Sequence, residues 1–452
     1  MYNVIKRFAF LISTIGVLST QAQDALDAYL KEGLSSNRVL QQKDVSLEQS
    51  KIALKMAKSF YLPSLELGGS YTLADGGRTI DLPLGDLLNP AYSTLNQLTA
   101  SDQFPLFENQ QEQFFPNNFY DARFRVSYAV LNTDRRYGSQ IREQQVQISE
   151  LELEVYRADL KRDIKQAYYN YAITEAAVNI FEETLELVER NLRNTQSLLD
   201  NGKGLPAYVL RAESDVEDIK SKIIDAQAKR KNAGYYLNFL VNRDLLVPIE
   251  YEQPDLNEAA IPAAQGPFDM SLRPEIAQLT SAQNIADLQV KQSKAYLVPS
   301  LNAFLDLGAQ DFDFEFDDQS RYYLFGLELN VPIFSGNRNN LSIRDRELNT
   351  EILRLQKENV EQQLSLAASM AQNNIESSIS ALVNARKKRA AARSYFSLLE
   401  TGFQEGANAY IEYLDARNQL TQAELDLAIT YFKLLTNQAI LERELTTTSN
   451  TL

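Results

Sequence analysis

Glu405-Gly406-Ala407-Asn408-Ala409-Tyr410-Ile411-Glu412-Tyr413-Leu414-Asp415-Ala416-Arg417 interrupts a long helical pattern, and the chain contains a second version of the same interruption. The twin is Asn201-Gly202-Lys203-Gly204-Leu205-Pro206-Ala207-Tyr208-Val209-Leu210-Arg211-Ala212-Glu213, with Gly, Leu and Ala at the same mutual spacing. A glycine stop followed within a few residues by a renewed apolar period is how two antiparallel helices are joined tightly. The spacing therefore predicts two helical hairpins.

Working outward, residues 137–198 are nearly free of Pro and Gly and carry Ile148, Leu151, Val155, Leu160, Ile164, Tyr168 and Tyr171 on apolar faces. At ~1.5 Å per residue such a helix would reach about 90 Å, so it needs partners along its length. Residues 208–240 return from the first turn. The second hairpin starts after Arg338, with Leu341, Leu348 and Leu355 a heptad apart, and ends near Leu445.

Each hairpin is preceded by a helical stretch and two segments of period two. Residues 24–60 read as one helix that stops at Tyr61-Leu62-Pro63-Ser64-Leu65, because Pro63 pushes the residue before it toward extended geometry. Leu65, Leu67, Gly69, Tyr71 and Leu73 then alternate with polar residues, as do Phe124, Val126, Tyr128 and Val130. The second half repeats the device at Val298-Pro299-Ser300-Leu301, with strands on Leu301 to Leu307 and Tyr323 to Val331. Val331-Pro332-Ile333-Phe334-Ser335-Gly336 leads into the last hairpin. The long connection at about 74–122 far exceeds the 2–5 residues usual in a hairpin, so it is either functional or partly ordered on its own. The shorter one carries Asp311, Asp313, Glu315, Asp317 and Asp318; these fit a solvated loop better than a weak divalent-cation site.

The expected organisation is an export signal at 1–22, a first repeat at 23–241, a linker at 242–269 and a second repeat at 270–452. The signal rests on Lys6 and Arg7, the apolar run from Phe8 to Leu18, and Thr20-Gln21-Ala22 before the cleavage point. The run is shorter than the ~20 residues a spanning helix needs. The linker carries Pro248, Pro254, Pro262 and Pro267 and no periodicity.

Composition removes whole classes of chemistry. The chain has no Cys, no His and no Trp, which excludes thiol nucleophiles, disulfides, Cys/His zinc sites, His-based triads and an acylated N-terminal cysteine. Its net charge of −15 repels nucleic acid. No cofactor or catalytic activity is expected.

Four segments of about ten residues, apolar on one face, have the length and pattern of strands that cross a bilayer. Four strands leave open edges that lipid does not tolerate, and the smallest spanning barrels have about eight, so such strands must be pooled with those of other copies. A soluble sheet packed on its own core would not explain helices too long to cover it. A soluble periplasmic coiled-coil scaffold or adaptor has no use for lipid-length strands, and a carboxylate hydrolase has no supporting constellation.

The Pro-Ser-Leu joins at Pro63 and Pro299, the Val-Pro-Ile-Phe-Ser-Gly run containing Pro332, Arg273-Pro274-Glu275 and the two Leu-x-Ala turns together resemble the outer-membrane efflux protein family, the TolC-like tunnel proteins. The resemblance implies a mainly α protein with a membrane β-barrel part. Long antiparallel helical hairpins form a tunnel, and four strands per chain contribute to a homotrimeric 12-stranded barrel. It implies a bacterial outer-membrane location reaching into the periplasm, and contact with outer-membrane lipid. The implied partners are a periplasmic adaptor (membrane fusion) protein and an inner-membrane transporter, in a tripartite efflux pump or type I secretion system. It also implies that Glu412 and Asp415, one helical turn apart, line the periplasmic entrance, and that Gly202, Lys203, Gly406 and Ala407 form adaptor-docking turns. The family's gate is commonly tied by polar partners, but here Phe403 lacks a hydroxyl, Asn408 stands where a basic residue is often found, and Tyr208 where a carboxylate is often found. Closure by aromatic packing of Tyr208 and Phe403 is expected instead.

Overall fold

Asn37 divides what the apolar period presents as one helix. The computed structural model describes residues 21–256 and 269–447, and in it α1 (Gln21–Ser36) and α2 (Arg38–Ser59) are separate. The buried Asn37 carboxamide accepts from the N–H groups of Val39 and Leu40, both at 3.0 Å, and so caps α2. Its Nδ2 donates to the Leu240 carbonyl at 2.8 Å. An asparagine can stop a helix wherever a distant carbonyl rewards its amide, and the local pattern does not display that carbonyl. All but the last two residues of the expected export signal, and residues 257–268 of the expected linker, lie outside the described residues.

The chain continues through β1 (Ser64–Thr72), β2 (Thr79–Leu82), α3 (Leu84–Thr99), β3 (Gln110–Gln113) and β4 (Phe119–Leu131). The first long hairpin is α4 (Thr133–Asp200) and α5 (Pro206–Leu240). Then come α6 (Pro274–Lys294), β5 (Ser300–Phe312), β6 (Arg321–Asn330), and the second long hairpin, α7 (Arg338–Gln404) and α8 (Tyr410–Glu444). Pro63 and Pro299 each stand just before a strand, and Pro332 stands between β6 and α7. The long connection after β1 is ordered on its own, as β2 paired with β3 and the helix α3 between them. No described helix is long and apolar enough to cross a membrane.

The contacts fall into two compact units, each drawing on both halves of the sequence. Among the described residues, one comprises 21–52, 143–256, 269–286 and 348–447. Its core lies between the two hairpins, where Ile375, Leu427, Phe432 and Leu434 are almost fully buried. The end of α8 is clamped to the start of α6. Arg273, 1% exposed, donates to the carbonyls of Arg443 and Glu444, and Arg443 bonds Asp159 and Glu275, both at 2.7 Å. Burial alone would raise the Glu275 carboxyl, but hydrogen bonds from Arg273 and Arg443 bring it down to about 2.

The other unit comprises residues 53–142 and 287–347 and contains an antiparallel sheet in the order β1-β4-β5-β6. Its register puts Leu65, Val126, Leu305 and Phe325 in one row and Leu67, Phe124, Leu307 and Tyr323 in another. These rows share one face, and Leu67, Phe124, Tyr323 and Phe325 on it are at least half exposed. The opposite face carries the row Glu66, Arg125, Asp306 and Leu324, in which Arg125 grips Asp306 with two bonds of 2.7 and 2.6 Å. Gly326 has a packing reason: a Cβ there would collide with the Phe304 ring. The sheet thus has one apolar face and one that carries the Arg125–Asp306 pair, and among the described residues both edge strands, β1 and β6, are unpaired on one side.

In the acidic connection between β5 and β6, Asp317 accepts from the Gln319 and Ser320 N–H groups and Asp313 bonds Asn118. Among the described residues no group of three or more His, Cys, Asp or Glu side chains is placed to hold a metal ion.

Candidate functional site at the two helix turns

Both turns are built alike. Gly202 has φ +72°, its N–H donates to Leu199 at 2.9 Å, and the Lys203 N–H donates to Leu198 at 2.8 Å. Gly406 has φ +76°, its N–H donates to Phe403 at 3.1 Å, and the Ala407 N–H donates to Gly402 at 2.7 Å. This double closure with a left-handed glycine satisfies the last carbonyls of α4 and α7. Pro206 then starts α5 at the one helical position where its missing N–H costs nothing. Lys203 and Ala407 are exposed at the tips.

Behind the second turn the first residues of α8 divide their side chains between solvent and core. Glu412 and Asp415 are exposed on one face. The Glu412 carboxylate accepts from the Ala409 N–H at 3.1 Å, which caps α8, and Asp415 accepts from Gln419 at 2.6 Å. Asn408 is half-buried with its amide against Gly402, where a Cβ would have no room.

The aromatic residues meet at a residue absent from the expected set. Tyr208 and Phe403 each pack on Tyr410, with ring centroids 4.8 and 5.4 Å away, and Phe403 also stacks on Tyr413 at 5.3 Å. Tyr410 is buried, and its hydroxyl accepts from Asn191 of α4 at 2.9 Å. Burial pushes the Tyr410 hydroxyl above the ordinary range against that bond, and pushes Tyr413 to about 12. The turn of one hairpin is therefore fastened to the helices of the other through one tyrosine.

Deeper in the same unit, Arg417 of α8 meets Asp215 of α5 at 3.2 Å, and both are under 5% exposed. Arg211 covers the other Asp215 oxygen from the solvent side, also at 3.2 Å. The Arg417 Nε and Nη1 atoms have no hydrogen-bond partner. A sequence signal for this pair exists. Arg417 falls on the apolar period of Tyr410, Tyr413, Leu414 and Leu420, and Asp215 falls on that of Ala212, Val216 and Ile219. A charge on a core stripe asks for a buried counter-charge.

A cavity of about 480 Å³, lined by Asn132, Gln292, Tyr296 and Arg346 among others, lies at the helix–strand joins and contains none of these residues.

Residues 270–445 match the family model for the outer membrane efflux protein. Over that segment the chain is similar to the outer membrane efflux protein family, and the relatives extend the similarity over most of its length. The outer membrane protein TolC of Escherichia coli K12 is 20% identical over 93% of this chain and 81% of its own length. The cation efflux system protein CusC of the same strain is 23% identical over 59% of this chain and 60% of its own. Among solved structures, a CusC chain superposes with a TM-score of 0.77 at 17% identity, over 94% of this chain and 92% of that one. The Campylobacter jejuni outer membrane channel CmeC gives 0.77 at 16% identity, over 93% and 85%. The similarity to outer membrane proteins indicates a bacterial outer-membrane location spanning the periplasm.

Proposed function

We infer that three copies of this chain close one barrel and one helical tunnel, forming the passive exit duct of a tripartite efflux pump or a type I secretion system. The observation that carries this reading is the four-stranded sheet with one apolar, solvent-exposed face and two unpaired edges. Such a face suits lipid, and such edges must be paired in the membrane, so β1 of one copy joins β6 of the next to make twelve strands. The exposed stripe of Leu341, Leu348, Ile352 and Leu355 on α7 asks for a neighbouring helix in the same way.

In this arrangement the turns at Gly202–Lys203 and Gly406–Ala407 meet a periplasmic adaptor that connects the duct to an inner-membrane transporter. Glu412 and Asp415 supply a carboxylate ring at the entrance, and Tyr208, Phe403 and Asn408 pack the closed gate around Tyr410. The duct catalyses nothing; its cargo is set by the pump behind it. Relatives bear names from cation, antibiotic and toluene efflux, which fits a duct of low intrinsic selectivity.

The test is extraction from outer membranes followed by mass measurement and planar-bilayer recording. A detergent-dependent trimer of low conductance is expected, and replacing both Tyr208 and Phe403 by Ala should raise that conductance. A monomer that stays soluble without detergent would overturn the duct, and an unchanged conductance would overturn the aromatic gate.

A further inference from the structure

The helix α3 presents a complete apolar seam to solvent. Leu84, Leu88, Ala91, Leu95 and Leu98 recur at alternating steps of four and three residues, with Leu87 beside them. All are exposed, Leu98 by 78% and Leu84, Leu88 and Leu95 by 36%, 37% and 38%. A different side of α3 is pinned by polar contacts that do not involve the leucines. Asn89 exchanges two hydrogen bonds with the Phe107 backbone, both at 2.8 Å, and Asn96 exchanges two with the Phe104 backbone, at 2.8 and 3.1 Å. Tyr92 sits between the Phe104 and Phe107 rings. The helix is thus fixed by one side while a heptad seam is left open on the other.

We propose that the α3 helices of three copies pack on one another through this seam and form a lid over the outer mouth of the duct. This rests on the three-copy duct proposed above. Two features select copies of α3 as the occupant. Alternating four- and three-residue spacing is the geometry by which one helix accepts the side chains of another. A helix lying on a lipid surface is instead rich in Lys and Arg on its polar side, whereas α3 contains neither and carries Asp86. The connection that holds α3 leaves from the end of β1, the edge strand to which the next copy must add β6. Closing the barrel therefore brings three such helices to one end. A seam of two heptads is too short to hold free peptides together, but tethering to one barrel makes the association intramolecular.

The chain has no Cys, so single cysteines report proximity cleanly. Ala91→Cys lies on the seam and Ser93→Cys on the polar side of α3. After oxidation in intact outer membranes, Ala91→Cys should give a band of two linked copies and Ser93→Cys none, while both proteins extract as trimers. Adding Leu88→Glu and Leu95→Glu to Ala91→Cys should abolish the band and leave the trimer mass unchanged. A trimer in which Ala91→Cys fails to link, links to a different protein, or still links with the two glutamates present overturns the lid and leaves the duct standing. Absence of a trimer removes the duct reading, and the lid with it.

Discussion

Arg417 carries its charge to a position that the apolar period of α8 assigns to the core, and Asp215 does the same on α5. Taking both ions out of water costs several kcal/mol each, and their attraction recovers this only with both partners present. Removing one partner is therefore far worse than replacing both. Arg417→Ala should destabilise the helical part by about 3–5 kcal/mol, because Asp215 keeps only its contact with the exposed Arg211. Asp215→Leu combined with Arg417→Met should recover most of that loss. The check is the urea midpoint for loss of helical circular dichroism in wild type, Arg417→Ala and the double variant; a single Arg417→Ala variant as stable as wild type would mean that the pair is not buried in the assembled protein. The anomaly of a charge on each stripe was legible in the chain. That the two charges answer each other was not, since nothing local to either helix reports which residue lies across from it.

At the scale of elements, strands and turns were readable because their signals are local. Period two placed Leu65, Leu67, Phe124 and Leu305 on one face, and the register agrees row by row. The two glycine stops marked the reversals because a left-handed residue at a helix end favours glycine for a reason internal to the backbone. Gly406→Ala should therefore cost about 1–2 kcal/mol although an added Cβ touches nothing, since the strain is in φ. Gly138 has equally open surroundings but lies inside α4 with helical φ, so Gly138→Ala should instead stabilise by roughly 0.5–1 kcal/mol. Opposite shifts of the thermal midpoint check the pair, and shifts of the same sign would show that the two glycines do not differ by backbone conformation. The break at Asn37 and the order within the connection after β1 were not readable in the same way. Asn37 depends on the distant Leu240 carbonyl, and the heptad of α3 is enclosed by Pro, Asn and Gln that read as loop.

For the whole molecule the governing quantity is charge arranged along a path. The chain carries −15, which biases the proposed duct toward cations, and low-dielectric walls concentrate such a bias where the passage is narrowest. If the hairpin turns form the entrance, Glu412 and Asp415 place two carboxylates per chain at that point, both exposed and both held by a neighbouring N–H. Glu412→Gln with Asp415→Asn leaves the shape nearly unchanged and keeps an acceptor for the Ala409 N–H, so the substitution tests charge alone. Under a salt gradient across a planar bilayer the wild-type reversal potential should have the sign of cation preference. The double variant should move toward zero without reaching it, because the rest of the chain's net negative charge remains. The same shift should shrink as salt rises, since the Debye length falls from about 10 Å at 0.1 M to about 3 Å at 1 M. A reversal potential unchanged at low salt would place the two carboxylates away from the ion path and would leave the preference to the rest of the chain's charge.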